Sequence, residues 1–205
     1  MTAPMTTGLT QQLAAAVDAL RRVTVRVQAS GTAASGAGVL WDAGGGDDSR
    51  PLVITNAHVA TRAQVTIQFN DGAVAQARVV ARDRRRDLAA LELEARTAGG
   101  GVAQVRGAPP LRVGELVIAI GHPGELTGAA TLGIVHTAGG ERAGRTPPWI
   151  RADLRLAPGF SGGPLADAGG RLIGINTLMQ GGLALAVPAA LVQSWLQRAQ
   201  APAAP

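Results

Sequence analysis

At 205 residues and 46% apolar content the chain is long enough for one large domain, or two small ones packed face to face, with a real core. Aromatics are only 2%, so that core must rest on Val, Ile, Leu and Ala, and without cysteine it holds by packing alone and says nothing of redox compartment. The net charge of +5 comes from 19 basic residues, all arginine; one tight cluster, Arg82, Arg84, Arg85 and Arg86, is broken by Asp83 and lacks the aromatics that stack on bases, which favours a solvated loop over a nucleic-acid surface.

The amino-terminal residues MTAPMTTGLTQQLAAAVDALRRV do not resemble a secretory leader, because Gln11, Gln12 and Asp18 interrupt the apolar stretch. No run approaches the roughly 18 apolar residues that span a bilayer. The expectation is a cytoplasmic chain with no membrane contact, secreted only if the start is misassigned. Leu9, Leu13, Ala16, Val17 and Leu20 recur at helical spacing and predict an amphipathic helix over 9–21. The period then changes to two: Val23, Val25 and Val27 alternate with Thr24 and Arg26, a half-buried strand. Further strand-like runs follow at 37–41, 52–55, 65–69, 74–81 and 88–92, with Asn70-Asp71-Gly72 as a hairpin signal.

Residues 95–110 are rich in glycine, end in Pro109-Pro110, and read as a linker. Beyond it come runs at 116–120, 131–136, 149–154, 164–166, 172–177 and 183–187. Pro188 then opens a terminal helix with Leu191, Val192, Trp195 and Leu196 on one side, and a tail, APAAP, expected to be disordered. Six strands, a linker and six more strands predict an all-β chain of two six-stranded antiparallel barrels, 23–94 and 111–188, flanked by an N-terminal helical segment (1–22) and a C-terminal helix and tail (189–205).

Three segments carry chemistry. Gly159-Phe160-Ser161-Gly162-Gly163-Pro164-Leu165 holds a serine among glycines. A serine hydroxyl attacks only when a base takes its proton and the site stabilises the oxyanion that follows. Gly159 can adopt a backbone conformation closed to other residues and turn its N–H toward the point that the N–H of Ser161 faces, so the pair predicts an oxyanion hole. Val53-Ile54-Thr55-Asn56-Ala57-His58-Val59 runs an apolar strand into a histidine, and Arg86-Asp87-Leu88-Ala89-Ala90-Leu91 starts a strand with an acid. Each is commonplace alone: a loop serine, a structural histidine, a solvated turn aspartate. Together they put base and acid before the linker and the nucleophile after it, which predicts a cleft between the two barrels.

TNAHV, RDLAALEL and PGFSGGPL, in that order, resemble the three signatures of the trypsin-like peptidases, and of the HtrA/Deg branch in particular. SGAGVLWD at 35–42, VIAIGHPGELTGAATLGIVH at 117–136, RLIGINTLMQGG at 171–182 and LALAVP at 183–188 extend the resemblance over residues 23–188. It implies a chymotrypsin-like fold and a serine endopeptidase acting on exposed or unfolded polypeptide, with no cofactor and no metal. In that scheme Ser161 is the nucleophile, His58 the general base and then acid, and Asp87 the group that orients and stabilises the imidazole, with the N–H groups of Gly159 and Ser161 receiving the oxyanion. The specificity pocket falls at about 154–158 and 178–186. Leu156, Leu183 and Leu185 are its expected apolar walls and Gly181 and Gly182 leave room for substrate backbone; Arg155 is expected to point outward, and an inward guanidinium would instead favour acidic side chains.

The chain departs from the pattern in places. Trypsin-like zymogens resemble one another in an Asp just before the nucleophile, which pairs with a new amino terminus; here that residue is Phe160, so activation of that type is not expected. HtrA-like proteins commonly continue into PDZ domains, and none is expected in these 205 residues; residues 1–22 lack the aromatics of the family's trimers, which leaves the oligomeric state open. His122 and His136 have no partners at metal-ligand spacing and read as structural or surface residues. The rivals to an endopeptidase are a binding module that uses the cleft without turnover and an esterase on small acyl substrates.

Overall fold

The computed structural model describes residues 5–29, 35–42, 51–94, 101–138 and 149–200. Helix α1 (Met5–Val23) lays Leu13, Ala16, Val17 and Leu20, spaced at three and four, against Ile118, Ile120 and Ala166 of the second barrel. Leu9, expected on the same stripe, lies one turn before it and is 46% exposed. Thr24 closes the helix by donating its hydroxyl to the Leu20 carbonyl (2.7 Å).

The first barrel comprises β1 (Thr24–Ala29), β2 (Ser35–Trp41), β3 (Leu52–Thr55), β4 (Gln64–Gln68), β5 (Val74–Asp83) and β6 (Leu88–Leu93). Its ring order is β1-β2-β3-β6-β5-β4, closed by β4 pairing with β1. The second comprises β7 (Leu116–Gly121), β8 (Ala129–Thr137), β9 (Ile150–Asp153), β10 (Pro164–Asp167), β11 (Leu172–Gln180) and β12 (Leu183–Pro188), ordered β10-β11-β12-β9-β8-β7 and also closed. Every strand pair is antiparallel, both between consecutive strands and in the pairs β1–β4, β3–β6, β7–β10 and β9–β12. Closure leaves neither barrel with an open sheet edge. This is the all-β, two-barrel, chymotrypsin-like architecture that the strand count and the motifs implied.

Helix α2 (Ala189–Gln200) buries Ala189, Val192, Trp195 and Leu196. Their cluster draws Val39 and Ile54 from the first barrel and Ile175 and Val187 from the second, so α2 fastens the seam between them. Pro188 ends β12 rather than opening the helix. Of the expected linker, 95–100 lie outside the described residues, as does the tail 201–205. Its remainder is tied down: the Ala103 N–H donates to Leu40, and Val105 bridges Leu172. The nearly buried Arg106 guanidinium pairs with Glu115 and lies 3.8 Å from Asp167, which also holds Arg171 at 2.9 Å. The Arg106 hydrogen bond, outweighing burial and helped by Arg112, holds the Glu115 carboxyl at about 2.

Candidate active site

The turn between β9 and β10 presents Ser161. Gly159 has φ +104°, a conformation side chains disfavour, and the reason is local. A Cβ there would meet the His122 carbonyl oxygen at 2.5 Å and the Pro123 Cα at 2.8 Å. The His122 N–H donates to the Gly159 carbonyl (3.0 Å), so β7 and the loop after it brace the turn from behind. Within 159–163 the N–H of Phe160 is donated to Ala157, that of Gly162 to Asn176 and that of Gly163 to Phe160. The N–H groups of Gly159 and Ser161 have no acceptor among the described residues. They are the two donors the sequence nominates for an oxyanion.

On the first barrel, β3 ends at Thr55 and delivers His58 two residues past Asn56, while Asp87 precedes β6. His58 Nδ1 donates to Asp87 Oδ2 at 2.6 Å, and the other carboxylate oxygen accepts the His58 backbone N–H at 3.0 Å. With Nδ1 holding its proton, the free electron pair is on Nε2, which suits a base. The imidazole is about half exposed and the carboxylate about a quarter. Asp87 has φ +55°, unusual for a residue with a side chain. It is held there through its carbonyl, which accepts from Ala57 N–H (3.2 Å) and Asn56 Nδ2 (2.9 Å).

The two halves are joined by contacts that motif reading did not nominate. The Ser161 carbonyl accepts the N–H of Ala37 in β2 (2.8 Å), and a side chain at Gly36 would collide with that carbonyl. Thr55 Oγ1 donates to the Ala37 carbonyl (2.6 Å), fixing β2 against β3 where His58 begins. Asn56 Nδ2 also reaches Thr177 Oγ1 across the seam (3.2 Å). The Ser161 hydroxyl itself donates to the Thr177 carbonyl at 3.0 Å and not to His58. The serine and the His58–Asp87 pair are therefore docked across one seam with no hydrogen bond between the Ser161 hydroxyl and the His58 ring. Gly36, Asn56 and Thr177 sit inside quoted motifs, but Thr177 holds the Ser161 hydroxyl through its carbonyl, for which no side chain gives a signal.

Leu156 is half-buried against the second-barrel core while Arg155 is exposed. Leu183 is half-buried and Leu185 is 4% exposed. Gly181 and Gly182 form the two-residue turn of the β11–β12 hairpin with φ +59° and +81°, so turn geometry already demands glycine there. His122 is fully buried and away from solvent, so it offers its backbone and not its ring to the site. Its Nδ1 accepts the Gly128 N–H (3.2 Å), and burial, with the Arg26 charge, lowers its pKa to about 4. His136 is exposed on β8. Among the described residues no group of three His, Asp or Glu side chains could hold a metal ion.

Two closed barrels with a serine turn facing a His–Asp pair define the class, and residues 36–175 match the family model of the trypsin-like peptidase domain. The chain belongs to the trypsin-like peptidase family, as a peptidase domain of the HtrA type. It is similar to serine protease HTRA1 of Xenopus tropicalis, 34% identical over 171 residues that cover 80% of this chain and 36% of that protein. Serine protease HTRA4 of Mus musculus is 36% identical over 153 residues, 71% of this chain and 32% of the relative. The crystal structure of the serine endoprotease from Yersinia pestis superposes with a TM-score of 0.78 at 27% identity, covering 91% of this chain and 66% of that one. The chain thus spans about a third of the length of these curated relatives.

Proposed function

We propose that the chain is a serine endopeptidase that cleaves exposed or unfolded polypeptide through an acyl-enzyme. The observation that carries this reading is the pairing, across one seam, of a Nδ1-protonated His58 on Asp87 with a serine turn whose Gly159 and Ser161 N–H groups have no acceptor among the described residues. The relatives' names, serine protease and serine endoprotease, support it. The Ser161 hydroxyl turns from the Thr177 carbonyl to His58, and Nε2 takes its proton as Oγ bonds to the scissile carbonyl carbon. The carbonyl oxygen becomes an oxyanion facing the two free N–H groups, each worth about 3–4 kcal/mol in the transition state. Asp87 stabilises the imidazolium, which returns the proton to the leaving amine as the C–N bond breaks. Water then adds to the acyl carbon, giving its proton to His58, and collapse releases Ser161 and a new carboxylate. An imidazole half open to solvent suits an extended chain better than an enclosed small substrate.

The test is covalent labelling with a fluorophosphonate. Wild type should react stoichiometrically, Ser161→Ala should not, and equal labelling of the two would remove Ser161 from the mechanism. Hydrolysis of small acyl esters without cleavage of any peptide would favour an esterase, and absence of labelling a binding module.

A further inference from the structure

Beside the catalytic pair, on the first-barrel side, lies a pocket of about 390 Å³ lined by Ala57, His58, Thr61, Arg82, Arg84 and Asp87. Its charge is unbalanced. The one carboxylate in its wall, Asp87, is engaged with the His58 ring and backbone. The nearest other acid in sequence, Asp83, is engaged with Arg86 and with the N–H groups of Arg85 and Arg86. Among the described residues, the guanidinium groups of Arg82 and Arg84 remain without a carboxylate. Arg82 is anchored, its Nη2 donating to the Ala60 carbonyl while its Nε is buried without a partner. Arg84 is exposed and has no hydrogen bond or ion pair among the described residues. A fixed cation and a free one facing a cavity form a receptor for an anion, and a guanidinium matches a carboxylate in shape as well as charge. The same cavity is walled by His58, so whatever occupies it lies against the histidine of the catalytic pair.

We propose that this pocket is a specificity subsite that takes an acidic side chain, Asp or Glu, of the polypeptide close to the bond being cut, with Arg84 as the selecting residue and Arg82 as its fixed support. The proposal rests on the serine peptidase reading of the site. The arginine cluster of residues 82–86 is then more than a solvated loop: its placement immediately before Asp87 puts one member beside the base. An exposed ion pair is worth up to about 1 kcal/mol, so selection by Arg84 amounts to roughly fivefold in kcat/KM and weakens as salt screens it.

The experiment uses the intact chain and a library of quenched peptides in which each position near the cut carries Asp or Glu, Asn or Gln, or Lys or Arg. Wild type should prefer the acid at one position by roughly fivefold at low salt, and the preference should shrink toward unity at about 1 M salt, where the Debye length is about 3 Å. Arg84→Gln should abolish it and Arg84→Glu should reverse it toward Lys or Arg, both with unchanged fluorophosphonate labelling. Arg198→Glu, on α2 and outside the pocket, should change nothing. Cleavage without a position-specific acidic preference, a preference that survives Arg84→Glu, or an equal loss in Arg198→Glu overturns the subsite while leaving the peptidase reading intact. A chain that neither labels nor cleaves overturns that reading, and the subsite with it.

Discussion

Replacing Gly159 by alanine tests whether the serine turn does what its geometry suggests. The added Cβ would sit 2.5 Å from the His122 carbonyl oxygen, 2.7 Å from its carbon and 2.8 Å from the Pro123 Cα. All three are backbone atoms, so no side-chain rotation relieves the clash. A φ of +104° is itself unfavourable for alanine. The turn must rotate, breaking the hydrogen bond from His122 N–H to the Gly159 carbonyl and swinging the Gly159 N–H away from the oxyanion position. Strain of about 1–3 kcal/mol and a hydrogen bond worth about 1 kcal/mol are at stake in stability. Loss of one oxyanion donor costs about 2.7–4 kcal/mol in the transition state, or about 10²–10³ in kcat. Gly114→Ala is the control, since Gly114 has φ +86° but a Cβ added there would meet nothing within 4 Å. It should lose only about 1 kcal/mol of stability and no activity. The assay is kcat at saturating peptide, with a thermal melt of each variant. A folded Gly159→Ala protein whose kcat stays of the same order as wild type would refute the oxyanion assignment.

Two other outcomes follow from the same contacts. Asp87→Asn should keep the fold, because asparagine tolerates the φ of +55° that the carbonyl contacts impose, yet lose about 10⁴ in kcat by offering the wrong partner to His58 Nδ1; Asp87→Ala should lose stability as well, and equal melting points for the two variants would count against the strain argument. Glu115, held at about 2 chiefly by Arg106, is a group with a depressed folded pKa, so its stabilisation is present above pH about 4.5 and is lost as pH falls to about 2; allowing for the fifth of its side chain still exposed, it is worth about 2 kcal/mol. Urea unfolding of wild type and Glu115→Gln should therefore diverge near pH 5 and converge near pH 2, and a gap that is constant with pH would show that the carboxylate does not titrate as the Arg106 contact requires.

The strands were legible where one face is buried. The alternation of Val25 and Val27 with Arg26, and the solid runs at 52–55 and 88–92, all report burial directly. Strand ends beyond the packed surface were not. Expected to stop at Thr177, β11 continues through the exposed Leu178, Met179 and Gln180, which are held by the ladder with β12 and so leave no periodic trace. Of the site, the His, Asp and Ser segments were readable because the proposed chemistry calls for those side chains. The docking of β2 onto the Ser161 carbonyl and the role of the Thr177 carbonyl are made by main-chain atoms that any residue possesses. The Arg106–Glu115–Asp167 network escaped for a different reason. Arg106 lies in a glycine-rich stretch that reads as linker, and its acids are 9 and 61 positions away in sequence.

A serine turn built on glycines is free to move and must be held in place, and Phe160 explains how. It occupies the place where zymogen-type relatives carry a carboxylate that waits for an amino terminus. Here the side chain is 5% exposed and belongs to the second-barrel core with Val117 and Leu165. Gly121 makes room for it, since a Cβ there would lie 2.6 Å from the phenyl ring. Burial of a phenylalanine contributes about 2–3 kcal/mol, enough to fix the turn beside a glycine whose own backbone is free to move. The same stretch of β7 that leaves room for the ring leads into His122, whose N–H holds the Gly159 carbonyl, so one strand end secures both sides of the turn. An anchor made of packing and a backbone hydrogen bond needs no titratable group. Where a carboxylate–amine pair would tie the turn's geometry to cleavage and to pH, this one ties it to the folding of the second barrel itself.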